Sequence, residues 1–110
     1  MKMQWPRLIS DKRFGLEDYH DPRKNGIRTD FRRDYDRLVF SSPFRRLQNK
    51  TQVFPLPGSI FVHNRLTHSM EVACVGKSMA DEIATGLRAR YASADWLEAF
   101  NHIGDIVAAA

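Results

Sequence analysis

The chain has 110 residues and a formal net charge of +4, with 43% hydrophobic and 27% charged residues. Those shares lie in the globular range and exclude a globally disordered or collagen-like chain. The single cysteine, Cys74, excludes an intrachain disulfide and any cysteine-based zinc cluster, as expected of a reducing compartment.

Charge is unevenly placed. Residues 1–65 hold 14 Lys/Arg against 7 Asp/Glu, whereas residues 66–110 hold 3 against 6. A basic first half suits a polyanionic partner such as nucleic acid, a nucleotide or another phosphate. The same charges also suit a solvated face, with Asp30, Asp34 and Asp36 pairing Arg32, Arg33 and Arg37.

Residues 1–30 mix charges with Gly15, Pro22 and Gly26 and read as an arm with at most a short helix. The first residues lack the apolar run of a signal peptide. The longest uncharged stretch, 51–64, carries Pro55 and Pro57 and is too short to span a membrane as a helix. The domain itself is expected over 31–110. Asp30 is the expected N-cap of a helix that carries Tyr35, Leu38 and Val39 as far as Ser41. Ser42-Pro43 should interrupt it, and Pro43 should open a short helix with Phe44, Arg45, Arg46 and Leu47.

Two β-branched and aromatic runs flank Pro55-Leu56-Pro57-Gly58-Ser59, which predicts a small β-hairpin near 51–62. Asn64 should cap a long helix from Arg65 to about Arg90. Leu66, Met70, Ala73, Ala80, Ile83, Ala84 and Leu87 recur at helical spacing along it. Val72, Val75 and Met79 widen the apolar surface, so burial on more than one side is expected. A second helix should start near Ser93 or Asp95 and carry Trp96, Leu97, Phe100, Ile103, Ile106 and Val107. It meets Ala108-Ala109-Ala110 with no stop signal, so an incomplete domain truncated at Ala110 is expected. The fold class is all-α, with one small hairpin.

The histidines are the first candidates for chemistry. His63 and His68 are five residues apart, roughly 140° around a helix, and suit joint chelation poorly. His102 and Asp105 share a face and read either as a polar stripe or as a metal pair. His20-Asp21 lies in the arm with nothing rigid beneath it. His68 has Val72 and Val75 at i+4 and i+7, so it should face an apolar interior, as a satisfied core histidine or as a metal ligand. Arg65 lies one turn earlier, at a helix N-terminus whose free N–H groups and dipole suit phosphate.

Several blocks carry a resemblance. They are Arg45-Arg46-Leu47 with residues 50–56 (KTQVFPL), and residues 63–72 (HNRLTHSMEV). Residues 34–44 and the closing 104–110 add to them. Together they closely resemble bacterial deoxyguanosine triphosphate triphosphohydrolase-like proteins, which belong to the HD-domain metal-dependent phosphohydrolases. The resemblance runs from about Arg32 to Ala110. It implies a mainly helical HD-type domain and hydrolysis of a deoxynucleoside triphosphate to deoxynucleoside and triphosphate. It also implies a divalent metal such as Mg or Mn, held by a histidine, a later His-Asp doublet and a final aspartate. Under it, His68 matches the first metal ligand and Arg65 the catalytic arginine at the α-phosphate. Gln52 matches the residue bonded to the sugar 3′-hydroxyl. Val53 matches the apolar residue against the deoxyribose, where a 2′-hydroxyl would clash. A cytoplasmic homo-oligomer that responds to a nucleotide or single-stranded nucleic acid effector is implied as well.

The His-Asp doublet and final aspartate are absent from the 110 residues. One histidine does not hold a catalytic metal tightly, so these residues alone are expected to be inactive and to bind metal weakly. A second reading is a basic single-stranded nucleic-acid- or nucleotide-binding module without catalysis, in which Trp5, Phe31, Tyr35, Phe40 and Phe44 interleave with the charges. A third is a helical structural fragment without a site.

Overall fold

The computed structural model describes residues 3–19, 28–51 and 63–110. Among them the named elements are all helical, and one isolated antiparallel bridge joins Thr51 to Asn64. The α-helices are α1 (Trp5–Leu8), α2 (Asp30–Phe40), α3 (Ser42–Arg45), α4 (Arg65–Arg90) and α5 (Ile103–Ala109), with 3₁₀ segments at Arg46–Asn49 and Asp95–His102. The all-α class expected from the sequence is the one observed. The hairpin expected near 51–62 lies, apart from Thr51, outside the described residues, as do Gln52 and Val53. No described helix is long and apolar enough to cross a membrane.

Local chemistry sets the helix ends. Thr29, not Asp30, caps α2: its backbone is extended and its hydroxyl accepts from the Arg32 N–H at 3.2 Å. Asp30 is the first helical residue instead, where its carboxylate favours the positive end of the helix and pairs with Arg33 at 3.2 Å. The break between α2 and α3 falls at Ser41, which is extended and accepts from the Phe44 N–H at 3.3 Å. Pro43 sits in the first turn of α3, where its missing N–H costs no hydrogen bond.

The second helix departs further from expectation. Asp95–His102 winds as a 3₁₀ segment, and only Ile103 onward is α-helical. Three residues per turn explains the choice. That period keeps Asp95, Glu98 and Asn101 in solvent together, while Leu97, Phe100 and Ile103 turn inward.

Helix α4 is the spine, roughly 39 Å long at 1.5 Å per residue. One side packs on α5 and the 3₁₀ segment before it, burying Ala80 and Ala84 together with Phe100 and Gly104. Small residues let the two backbones approach. A Cβ at Gly76 would lie 3.0 Å from Val107 Cγ1, and one at Gly104 would run into the Asp81 carboxylate. Charge then locks the crossing. Lys77 Nζ donates to Asp105 Oδ1 at 3.0 Å, and Arg32 Nη1 of α2 reaches the same oxygen at 3.7 Å.

Aromatic rings hold the other end. Phe100, 5% exposed, meets the edges of Trp5 at 5.1 Å and Trp96 at 5.4 Å, and Tyr91 leans on Trp96 at 5.7 Å. The arm touches the helices at two described points: Trp5 joins this cluster, and Arg13 bonds Asp34 at 2.7 Å.

The expectation that α4 is buried on more than one side does not hold among the described residues. Val72, Val75, Met79 and Ile83 are 56–62% exposed. The physical reason is supply: α5 and its 3₁₀ extension cover only the Ala80–Ala84 side. The Cα radius of gyration is 17.7 Å, against about 13 Å for a compact domain of this length. The described core is thin.

Phe100→Ala removes the ring on which both tryptophans rest. It should lower the unfolding free energy by about 3–5 kcal/mol, read from urea denaturation. The hydrogen bond from Lys77 to Asp105 holds the Lys77 pKa above the ordinary lysine value of 10.5. A group whose pKa is raised on folding adds stability that is complete below the unfolded value and is lost as pH climbs through the folded one. Stability should therefore fall above about pH 10.5, and Lys77→Met should flatten that alkaline limb in urea titrations.

Candidate functional site

The first turn of α4 is held at both of its edges. Asn64 Oδ1 accepts from the Thr67 N–H at 2.9 Å, and Thr67 Oγ1 accepts from the Asn64 N–H at 3.2 Å. This reciprocal capping box satisfies two N–H groups that a helix start otherwise leaves open. The Arg65 N–H donates to Lys50 O at 2.8 Å, and Thr51 pairs with Asn64 in an isolated antiparallel bridge. Residues 50–51, which begin the KTQVFPL block, therefore lie directly beside the start of the RLTHS block.

Arg65 and His68 occupy the first and second turns, and both are exposed. Neither side chain has a hydrogen bond, ion pair or ring contact among the described residues. His68 lines a cavity of about 450 Å³ between α2, α3, the following 3₁₀ segment, α4 and the end of α5. Tyr35, Phe44, Leu47 and Ala108 represent its walls, which are mostly apolar. Arg65 lies outside that lining. The expectation that His68 faces a closed apolar interior is corrected. Its Val72 and Val75 neighbours are themselves exposed, so the imidazole meets an open cavity. A histidine in that position needs no internal partner and is available to one from outside.

The other candidates are already engaged. His102 leans on Phe31 with ring centroids 5.1 Å apart, and Asp105 is held by Lys77 and Arg32, so both residues already have protein partners, as the polar-stripe reading expects. His63 Nδ1 faces Glu71 Oε2 at 3.7 Å, both exposed. Among the described residues no three His, Cys, Asp or Glu side chains converge as a metal site. His68 fits a metal as one imidazole donor, and among the described residues it belongs to no cluster of three such side chains.

The basic charges sort into two groups. Arg13, Arg32, Arg33 and Arg37 pair with Asp30, Asp34 and Asp36 on or against α2, as the solvated-face reading expects. Arg28 also pairs with Asp36. Arg45, Arg46, Lys50 and Arg65 have no acidic partner among the described residues. They belong to α3, the 3₁₀ segment and its cap, and the first turn of α4. Positive charge thus remains unneutralised on the elements that bound the cavity and the helix start.

The comparisons with known proteins point the same way. No family model matches the chain. It is 43% identical over 108 residues to a deoxyguanosinetriphosphate triphosphohydrolase-like protein of Synechocystis, covering 98% of this chain and 24% of the relative. Proteins of the same name from Listeria monocytogenes and Pseudomonas aeruginosa are 47% identical over 81 residues and 44% identical over 86. They cover 74% and 78% of this chain, and 17% and 19% of those relatives. This chain resembles part of the deoxyguanosinetriphosphate triphosphohydrolase-like proteins. It spans between a sixth and a quarter of the length of these curated relatives.

Sequence reasoning located Arg65 and His68 but missed the walls around them and the Lys77–Asp105 link. Those two residues are 28 positions apart, with no periodicity between them. Gly76 and Gly104, each next to one member of the pair, were the available signal for a close helix crossing. Asn64→Ala, which opens the capping box, should cost about 1 kcal/mol of stability, measured by thermal or urea unfolding.

Proposed function

We propose that this chain is the amino-terminal part of a dNTP triphosphohydrolase and forms one wall of its active site. Residues 31–110 then belong to an HD-type helical domain. The substrate is a deoxynucleoside triphosphate, dGTP by the relatives' name, cleaved to deoxynucleoside and triphosphate. The observation that carries this reading is the RLTHS block itself. It opens a capped 26-residue helix, with Arg65 and His68 unpartnered among the described residues at the basic end of the chain.

Arg65 binds the α-phosphate. A guanidinium donates in a fixed fork to two phosphate oxygens and keeps its charge at any working pH. The N-terminus of α4 adds a positive dipole on the same side. His68 offers one imidazole nitrogen as a donor to a divalent metal. Such a metal, when bound, lowers the pKa of a bound water and neutralises phosphate charge. Gln52 hydrogen-bonds the sugar 3′-hydroxyl, and Val53 packs where a ribose 2′-hydroxyl would stand. A buried hydroxyl without a partner costs a few kcal/mol, so that contact selects deoxyribose.

The enzyme works in the cytoplasm as a homo-oligomer. Arg45, Arg46 and Lys50, unneutralised among the described residues, suit a nucleotide or single-stranded nucleic acid effector. A purely nucleic-acid-binding module has less support. Two of its aromatics are used internally, Trp5 against Phe100 and Phe31 against His102.

Two variants of the full-length protein test the assignment. His68→Ala should abolish triphosphate release and lower bound metal in elemental analysis. Arg65→Ala should retain the metal and lose roughly 100-fold in turnover. Equal metal loss in both variants would defeat the separate roles.

A further inference from the structure

The cavity beside His68 has two kinds of wall. One is α4 itself, which carries His68, Ser69 and Ala73. The facing one includes Val107 to Ala110, the end of α5. The gap between His68 and that facing wall depends on where α5 sits along α4. Apolar contact alone leaves such a crossing free to slide, because Gly76, Ala80 and Ala84 present a nearly smooth surface. A directional contact removes that freedom.

Lys77 and Asp105 supply it. The ammonium donates to Asp105 Oδ1 at 3.0 Å and also reaches Asp81 Oδ2 at 3.6 Å. The Asp105 side chain is only 19% exposed, and Arg32 approaches the same oxygen at 3.7 Å from α2. Gly104, one residue earlier, is buried against the Asp81 and Lys77 side chains, with no room for a Cβ. Three helices therefore converge on one carboxylate, two residues before Val107.

We infer that Lys77 and Asp105 are a positioning pair for the His68 cavity. Their bond sets the register of α5 against α4, and through it the separation of His68 from the wall of Val107 to Ala110. Neither residue touches the cavity. They act through the helix, and Arg32 braces Asp105 from the α2 side. This inference rests on the reading that His68 serves the reaction.

The test uses the full-length protein with Asp105→Asn, Lys77→Met, their double variant, Lys77→Arg and His68→Ala. Each is assayed for dGTP hydrolysis and titrated with Mn²⁺ alone. Asp105→Asn is expected to fold, to lose about tenfold in kcat with KM for dGTP within about twofold of the parent, and to need about tenfold more Mn²⁺ for half occupancy. Lys77→Met should match it, and at 38% exposure against 19% for Asp105 the lysine is the less buried of the two positions to change. The double variant should fall no further than either single one. Lys77→Arg should recover most of the loss. Folded single variants with parental kcat and Mn²⁺ midpoint, and only a lower melting temperature, overturn the positioning role. His68→Ala with parental kcat and Mn²⁺ binding instead overturns the underlying reading of His68, and the inference falls with it. If Asp105→Asn does not fold, Lys77→Met decides by the same readouts.

Discussion

The close crossing of α5 over α4 is the constraint on which the rest of the structure depends. Two glycines and two alanines bring the backbones together, and the Lys77–Asp105 bond stops them from sliding. Covering a carboxylate costs hydration, and nearby cations offset that cost. Asp105 has two of them, one from α4 and one from α2, so the same charge that locks α5 also recruits α2. The aromatic cluster around Phe100 then anchors the 3₁₀ segment that feeds into α5.

That economy leaves one side of the spine bare. Val72, Val75, Met79 and Ile83 follow His68 along α4 and remain exposed among the described residues. Contiguous apolar surface of this kind is unusual on a self-sufficient monomer. It agrees with a chain matching no more than 24% of any of the relatives described above. The described residues build a spine, one packed face and one wall of a cavity, and they do not close a core around His68.

Electrostatics divides along the same line. The arginines of α2 are spent on neighbouring aspartates, mostly at three- and four-residue helical spacing, and the most exposed of these pairs, Arg37 with Asp34, contributes little net stability. Among the described residues, the bases near the start of α4 have no such partners. The net +4 of the chain is therefore a poor guide to its surface. Among the described residues, one region is locally neutralised and another keeps its positive charge at the start of α4.

Much of this was legible in the sequence because the signals are local. Asn64 with Thr67 three residues later marks a helix start, and the following 26 residues contain no proline, so α4 was readable from end to end. The spacing of Arg65 and His68 followed from that same helix. Local signals competed at Thr29-Asp30, where both residue types cap well and only the backbone conformation chose the threonine. They failed at Asp95–His102, where a 3.6-residue pattern and a 3.0-residue pattern both fit, and inward burial of Phe100 selected the tighter winding.

The sequence by itself determined the helical class, the boundaries of α4 and the placing of Arg65 and His68 one turn apart, because each depends on contacts within a few residues. Only the tertiary structure decided which face of α4 is covered, which arginines are already paired, and that Lys77 meets Asp105 across 28 positions. Those outcomes depend on which helix arrives to pack, and no periodicity within a single helix carries that information.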